Sequence, residues 1–563
     1  MILLAVILLL VLIGARLFVI VGVATALSFY LYTDQYKTME ALLLIVEKVE
    51  GLTTKNLFLS LPFFIAAGVV MTQGGIARRL IAVARAMVGW LPGGLAIATV
   101  FACVIFAAIS GSSPVTLIAV GVVMFPALSA SGYPENFSLG ILTTAGSLGC
   151  LVPPAISMLI YSISVGGNAA IKPDDLFLAG LVPALLIAGL LCVYAAWVGR
   201  GIPQSREPFE WKKLKAALYE GSFALVLPVI ILGGIYTGMF TPTEAGAVAL
   251  VYSIFCTTFI YRDMTLSKLP DLFAESATLI GSLILIVTLS FGLNDLLQEV
   301  RAGEYLIRKL IAADLSPFAF FMFVNVVLIV LGALMDSISA TLIFAPLLAP
   351  IAMDVYGIDP LHFGVVFVVN MEIGYLMPPV ATNLFVASAV FQRPFGQVTR
   401  AVMPTLGIVC GALILCMYVP TISKAAVNWK KDAPIYEAFP WTKPDVEFDE
   451  DTGTVRKKKP AKAPRAAPGA TPAGTTTGGS EATTGSGTTG GASGTTGGSE
   501  GTTSGDSLDD LTNEAEKAGA PESGGDSLDD LTNEAEEAGE KAGPDEPAPE
   551  PTPEPTPEPP TQP

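Results

Sequence analysis

The chain has 563 residues, of which 52% are hydrophobic and only 14% charged. Apolar runs at 1–12, 95–109 and 318–334 are too long and too poor in charge for a soluble helical core, so the sequence describes an integral membrane protein. The formal net charge of −17 belongs wholly to the C-terminal end: residues 445–563 carry 8 basic and 25 acidic side chains, while residues 1–444 carry 24 of each.

Residues 1–12 look like the core of a signal peptide. Arg16 and the apolar stretch 17–32 continue the pattern without a small-residue cleavage site, so 2–32 reads as a first span broken near 14–16. Further apolar segments follow at 56–72, 93–109, 115–130, 137–165, 176–198, 222–238, 243–261, 277–293, 317–334, 338–352, 361–391 and 402–420. A bilayer core needs about 20 apolar residues per helix. The segments 115–130 and 338–352 are shorter than that and flanked by Gly, Ser and Pro, the pattern of re-entrant hairpins.

Residues 75–90 alternate Arg78, Arg79 and Arg85 with apolar positions, which predicts an amphipathic helix at the membrane interface, and 299–312 is its counterpart. Basic clusters at 200–215 and 262–268 place both of those loops in the cytoplasm. The six cysteines all lie in apolar stretches and read as small buried hydrophobes. A single histidine, His362, excludes a histidine-rich metal site.

Two segments 225 residues apart match: Gly132, Gly149, Pro153 and Pro154 correspond to Gly357, Gly374, Pro378 and Pro379. Each segment is a hydroxyl-rich turn, a short apolar stretch, a Gly-containing loop, and a long helix broken at Gly-x-x-x-Pro-Pro. The expected fold is therefore all-α and membrane-embedded, two related repeats with re-entrant hairpins and broken helices. Proline removes a donor and frees a carbonyl one turn earlier. Inside a membrane such groups must find partners, and an ion or a solute can be the partner. Ser110, Gly111, Ser112 and Ser113 at the first turn, Ser337 and Ser339 at the second, with Gly149 and Gly374, are the candidate sodium ligands. Pro153, Pro154, Pro378, Pro379 and Asn383 are candidates for the helix breaks or for substrate binding.

Intramembrane carboxylates are costly and point to function. Asp336 opens the second hydroxyl turn, and Glu372 lies two before Gly374, where the first half has Ser147. Either could hold a cation or orient a broken helix. Glu244 reads as structural, in a helix cap with Thr241 or Thr243. An intramembrane protease is disfavoured, and the chain reads as no enzyme: a serine nucleophile needs a base in reach, and Asp336 has no Asp partner.

The domain reading is a membrane domain at 1–425, with repeat halves at about 56–200 and 222–420. A juxtamembrane segment with a basic patch follows at 426–468. Residues 469–563 read as a disordered Gly/Thr/Ser-rich, acidic and Pro/Glu-rich tail, in which GDSLDDLTNEAEKAG (505–519) recurs as GDSLDDLTNEAEEAG (525–539).

The stretches ISGSSPVT (109–116), LVPPAISMLIYS (151–162), TPTEAGAVA (241–249), MDSISATLIFAPLLAPIA (335–352), GIDPLHFGVVFVVNMEIGYLMPPVATNLFVAS (357–388) and RPFGQVTRAVMP (393–404) resemble the large membrane subunit of TRAP (tripartite ATP-independent periplasmic) transporters. LPFFIAAGVVMTQGGIARRL (61–80) matches as well, so the resemblance covers about residues 1–425. It implies an elevator-type importer in the bacterial cytoplasmic membrane. Sodium would be the coupling ion, with no cofactor and no nucleic-acid partner. A periplasmic solute-binding protein would deliver a small carboxylate, and a small TRAP membrane subunit, expected as a separate polypeptide, would brace the chain among the membrane lipids. The hairpin tips and Pro-Pro breaks would hold sodium, with substrate between them. Family members often carry a hydroxyl or Gly just after the Pro-Pro breaks, where this chain has Ala155 and Ala381. A stand-alone elevator-type organic anion transporter or exchanger is the alternative.

Overall fold

The computed structural model describes residues 59–165, 171–202, 208–278, 301–335, 337–378 and 381–442, with 444, 446–449, 454–457 and scattered positions between 6 and 27 and between 280 and 289. Most of the expected spans at 2–32 and 277–293, the side chains of Asp336 and Pro379, and the tail at 469–563 lie outside the described residues.

In the first half, α1 (Ser60–Gln73) and α2 (Ile76–Val88) meet at an elbow of 72°. The apolar stripe of α2 (Leu80, Ile81, Val83, Ala84) is buried and Arg78 is exposed, as its amphipathic pattern predicts. Helices α3 (Gly94–Ser110) and α4 (Ser113–Ala130) form a hairpin. Half-helices α5 (Glu135–Ser147) and α6 (Ile156–Val165) flank a 3₁₀ turn at Leu148–Cys150 and the Pro-Pro break. Helix α7 (Pro173–Gly199) closes the half.

Helices α8 (Trp211–Glu220) and α9 (Ser222–Tyr236), bent by 62°, lead to α10 (Pro242–Phe255), which packs along α1. Thr241 and Glu244 cap α10 reciprocally: the Glu244 N–H donates to Thr241 Oγ1 at 3.3 Å, and the Thr241 N–H donates to Glu244 Oε2 at 2.8 Å.

The second half repeats the order. Helix α11 (Ala302–Ala312) matches α2, and α12 (Pro317–Leu334) with α13 (Ser337–Asp354) matches the hairpin. Half-helices α14 (Pro360–Tyr375) and α15 (Thr382–Phe391) match α5 and α6, and α16 (Phe395–Tyr418) matches α7. Proline at the first turn and a hydroxyl or carboxylate cap set the starts of α12 and α14: Ser316 Oγ accepts from the Ala319 N–H, and Asp359 Oδ1 accepts from the Leu361 and His362 N–H groups.

The halves enter the molecule from opposite ends. Helix α7 is 27 residues long, about 40 Å, and links those ends. At its C-terminal end, Gly93 packs on the Ala195 backbone, Tyr133 stacks on Phe137 at 5.5 Å, Phe137 meets Tyr194, and Arg393 pairs with Glu135. This is the base of the first hairpin. At the N-terminal end of α7, Lys430 and Lys431 pair with Asp174 and Asp175. There too Lys424 pairs with Asp359, Phe318 stacks on Tyr418 at 4.7 Å and Phe320 on Tyr356 at 4.0 Å. This is the base of the second hairpin, so the repeats are inverted.

Beyond α16 lie α17 (Pro420–Lys430), a segment that buries Phe439 against Phe321, and a hairpin of β1 (Val446–Asp449) and β2 (Thr454–Lys457) paired Val446↔Lys457. These elements have no counterpart among the sequence-predicted ones.

Candidate functional site

The two hairpin turns and the two helix breaks converge on one another. Gly111 closes α3 with φ of 58°, in the left-handed region, and a Cβ there would stand 2.2 Å from the Pro154 carbonyl oxygen. The Gly111 carbonyl accepts from the Ile156 N–H at 3.1 Å, so the first turn and the first break are stitched backbone to backbone. Gly149 lies against the same turn, where a Cβ would fall 2.5 Å from the Ser112 carbonyl oxygen. Around it, Ser110 Oγ and Thr116 Oγ1 are 2.8 Å apart, and Thr116 donates to the Ser112 carbonyl.

Each half-helix beyond a break docks on the other half's hairpin. Helix α15 packs on α4, and α13 on α6. The Asn383 amide donates to Ser113 Oγ at 2.5 Å, and Ser157 Oγ and Ser337 Oγ are 3.0 Å apart. Ser337 also meets Tyr375 Oη at 2.9 Å. A buried polar seam is therefore made of two links between the halves, Asn383 to Ser113, and Ser157 through Ser337 to Tyr375.

Four helix N-termini open on this seam, those of α4, α6, α13 and α15, two from each half. Their residues Ser113, Ser157, Ser337 and Asn383 are all buried. Helix N-termini carry positive dipole ends and free N–H groups, which favour carboxylates. The C-termini of α3, α5, α12 and α14 end at or near the same level and present carbonyl oxygens, which favour a cation. Asn383 Oδ1 and Glu372 Oε2 are buried without a hydrogen-bond partner among the described residues. Such acceptors are costly to leave unpaired unless a ligand meets them.

Of the sequence-predicted residues, Ser110, Gly111, Ser112, Ser113, Gly149, Pro153, Pro154 and Asn383 come together around the first turn, and the Pro153–Pro154 bond is cis. Ser337 joins the seam, and Ser339 is buried on α13. Gly374 packs on the backbone of Gly332 in α12 rather than on the second turn. Pro378 is exposed. Thr116, Ser157 and Tyr375 were missed by sequence reasoning. Ser157 stands second in its half-helix, and the 225-residue register pairs it with Thr382, the hydroxyl that opens α15, a signal the sequence could have supplied.

Six described helices are long and apolar enough to cross a membrane, or eight if each bent pair is one span. Inverted repeats, re-entrant hairpins and broken helices converging on one another define a multi-pass secondary-transporter fold. The model of the DctM component of tripartite ATP-independent periplasmic transporters matches residues 3–422, and the chain belongs to that family of large TRAP permease subunits of the bacterial inner membrane. It is 44% identical over 372 residues to the C4-dicarboxylate TRAP transporter large permease protein DctM of Pseudomonas aeruginosa, covering 66% of this chain and 86% of that protein. It is 40% identical over 383 residues to the protein of the same name from Rhodobacter capsulatus, covering 66% and 86%. In fold it is similar to the YdaH transporter of Alcanivorax borkumensis, whose structure was described as having an unusual topology, with a TM-score of 0.52, 14% identity, and coverage of 72% of this chain and 91% of that one.

Proposed function

We propose that this chain is the membrane engine of a sodium-coupled importer of a small dicarboxylate. A periplasmic solute-binding protein delivers the solute, and a small membrane subunit braces the chain. The carrying observation is the convergence of four helix N-termini, two from each inverted repeat, on one buried seam. That arrangement supports an anionic solute, because two carboxylates can each face a pair of positive helix ends. The substrate class is further supported by the dicarboxylate permeases to which the chain is similar. Sodium coupling is supported by the helix C-termini and the hydroxyls at the first turn, Ser110, Ser112 and Thr116, beside Gly149. These are hard oxygen donors of the kind an alkali cation takes.

The test is uptake of radiolabelled succinate into proteoliposomes holding the chain, a small TRAP membrane subunit and a dicarboxylate-binding protein. We expect uptake only with all three parts and an inward sodium gradient. Uptake by the chain alone would identify a stand-alone transporter. Uptake indifferent to sodium would remove the coupling ion from the scheme. Ser112→Ala is expected to raise the sodium concentration for half-maximal uptake about tenfold.

A further inference from the structure

Ser147 and Glu372 are repeat-equivalent, 225 residues apart, and they touch: Ser147 Oγ donates to Glu372 Oε1 at 2.8 Å. In an inverted repeat, equivalent positions meet only where both approach the pseudo-two-fold axis. This pair therefore marks the axis, between the C-terminal ends of α5 and α14. Both side chains are fully buried. The Ser147 hydroxyl also lies 2.7 Å from the Thr144 carbonyl of its own helix. One proton is thus contested between a local backbone bond and a carboxyl group contributed by the other half.

The position of the pair gives that contest a consequence. Ser147 is the last residue of α5, immediately before the 3₁₀ turn that carries Gly149. Gly149 in turn presses on the Ser112 carbonyl. Whatever holds Ser147 holds the ledge on which the first turn rests. Among the described residues Glu372 has no salt-bridge partner, and its Oε2 has no hydrogen-bond partner. A carboxyl group buried at such cost, with one polar contact that crosses between repeats, is poorly explained by stability alone.

We propose that Glu372 is a positioning residue. Through Ser147 it holds the first helix break in register with the second half, so that sodium affinity at the first turn depends on a side chain from the other repeat. This rests on the sodium reading above.

The test compares variants reconstituted with the small subunit and the solute-loaded binding protein. It measures the sodium concentration for half-maximal uptake, the concentration of loaded binding protein for half-maximal uptake, and membrane abundance. Glu372→Ala and Ser147→Ala are each expected to raise the sodium value at least about tenfold, equivalent to about 1.4 kcal/mol, while the binding-protein value stays within about twofold. Glu372→Gln, which keeps an acceptor oxygen for Ser147, stays within about threefold of the parent. Because the pair lies on the axis, the exchange Ser147→Glu with Glu372→Ser rebuilds the contact from the opposite side and returns the sodium value to within about threefold. Should either alanine variant fail to reach the membrane, the exchange and glutamine variants decide the matter. An exchange variant that is abundant but as impaired in sodium activation as the single variants overturns the proposal. So does a parent-like sodium value in either alanine variant. A parent chain that ignores sodium overturns both this proposal and the sodium reading, whereas a sodium-dependent parent with a failed exchange overturns this one alone.

Discussion

The two helix breaks share a sequence motif and a place in the fold, yet they are built differently. The first is sealed: residues 151–160 are all buried, the Ile156 N–H binds the Gly111 carbonyl, and Gly149 rests on the turn of its own hairpin. The second is more open. Pro378 is exposed, Met377 is half-buried, and Gly374 leans on α12 at Gly332 instead of on the second turn. On the sodium coupling proposed above, a transporter with one solute path would gain by fixing one ion site and leaving the other free to respond. On that reading the first break is the rigid reference and the second the mobile partner.

The comparison is most sharply tested by the topology it assumes. The basic loops at 200–215 and 262–268 indicate that the C-terminal end of α7 faces the cytoplasm. Its N-terminal end, where Lys430 and Lys431 pair with Asp174 and Asp175, then faces outward. A single cysteine placed at Lys430 in a cysteine-free background is expected to react with an impermeant maleimide on intact spheroplasts, and one at Lys212 only after lysis. The reverse pattern would falsify the orientation, and equal labelling of both sites would break the claim of inverted ends.

The next largest effect falls on the rigid break. In Gly149→Ala, the new methyl meets the carbonyl carbon and oxygen of Ser112 at 2.6 and 2.5 Å, and neither is a side chain that can swing away. Overpacking against backbone costs about 3 kcal/mol or more. Thermal unfolding of the purified chain should show that loss, with sodium activation abolished. A variant of parental stability would mean that the first break is no more rigid than the second.

A smaller effect is expected at the join between halves. Asn383→Ala removes the bond to Ser113 and the unpaired Oδ1 beside it. If Oδ1 meets the solute, uptake should require about tenfold more loaded binding protein for half-maximal rate, a loss of about 1–2 kcal/mol. Unchanged uptake kinetics would confine Asn383 to packing.

Much of this architecture was legible in the sequence, because membrane helices write their lengths and interruptions directly into hydropathy. The 225-residue register, the re-entrant hairpins and both Pro-Pro breaks follow from the positions of Gly132, Gly149 and Pro153 and their partners. What escaped depends on which helix meets which. Periodicity does not say that α15 crosses to the first hairpin, so the joining of Asn383 to Ser113 and of Ser157 to Ser337 was hidden. Nor does it say that Ser147 and Glu372 stand on an axis. The α17 segment was missed because its hold on the protein is ionic and aromatic, through Lys424, Lys430, Lys431 and Phe439, rather than a run of apolar residues.

The smallest expected effect separates the breaks at the level of the backbone. Ala155 directly follows the first Pro-Pro pair, and Ala381 stands one residue further from the second, beyond Val380. Ala155 is not among the left-handed residues, whereas Ala381 sits at φ 27° and ψ 70°, a region that favours glycine. It is held there because its carbonyl caps α15, accepting from the Leu384 N–H at 2.8 Å and the Phe385 N–H at 3.2 Å. The same substitution should therefore act with opposite sign in the two halves. Ala381→Gly relieves strain and is expected to stabilise the purified protein by about 1 kcal/mol, even after the added freedom of glycine in the unfolded chain. Ala155→Gly relieves nothing and should destabilise it by about 0.5–1 kcal/mol. Thermal unfolding of both variants in one detergent reads the two signs side by side. Shifts in the same direction would show that the breaks differ only in their neighbours; opposite shifts would show that the second break stores strain in its own backbone and the first does not.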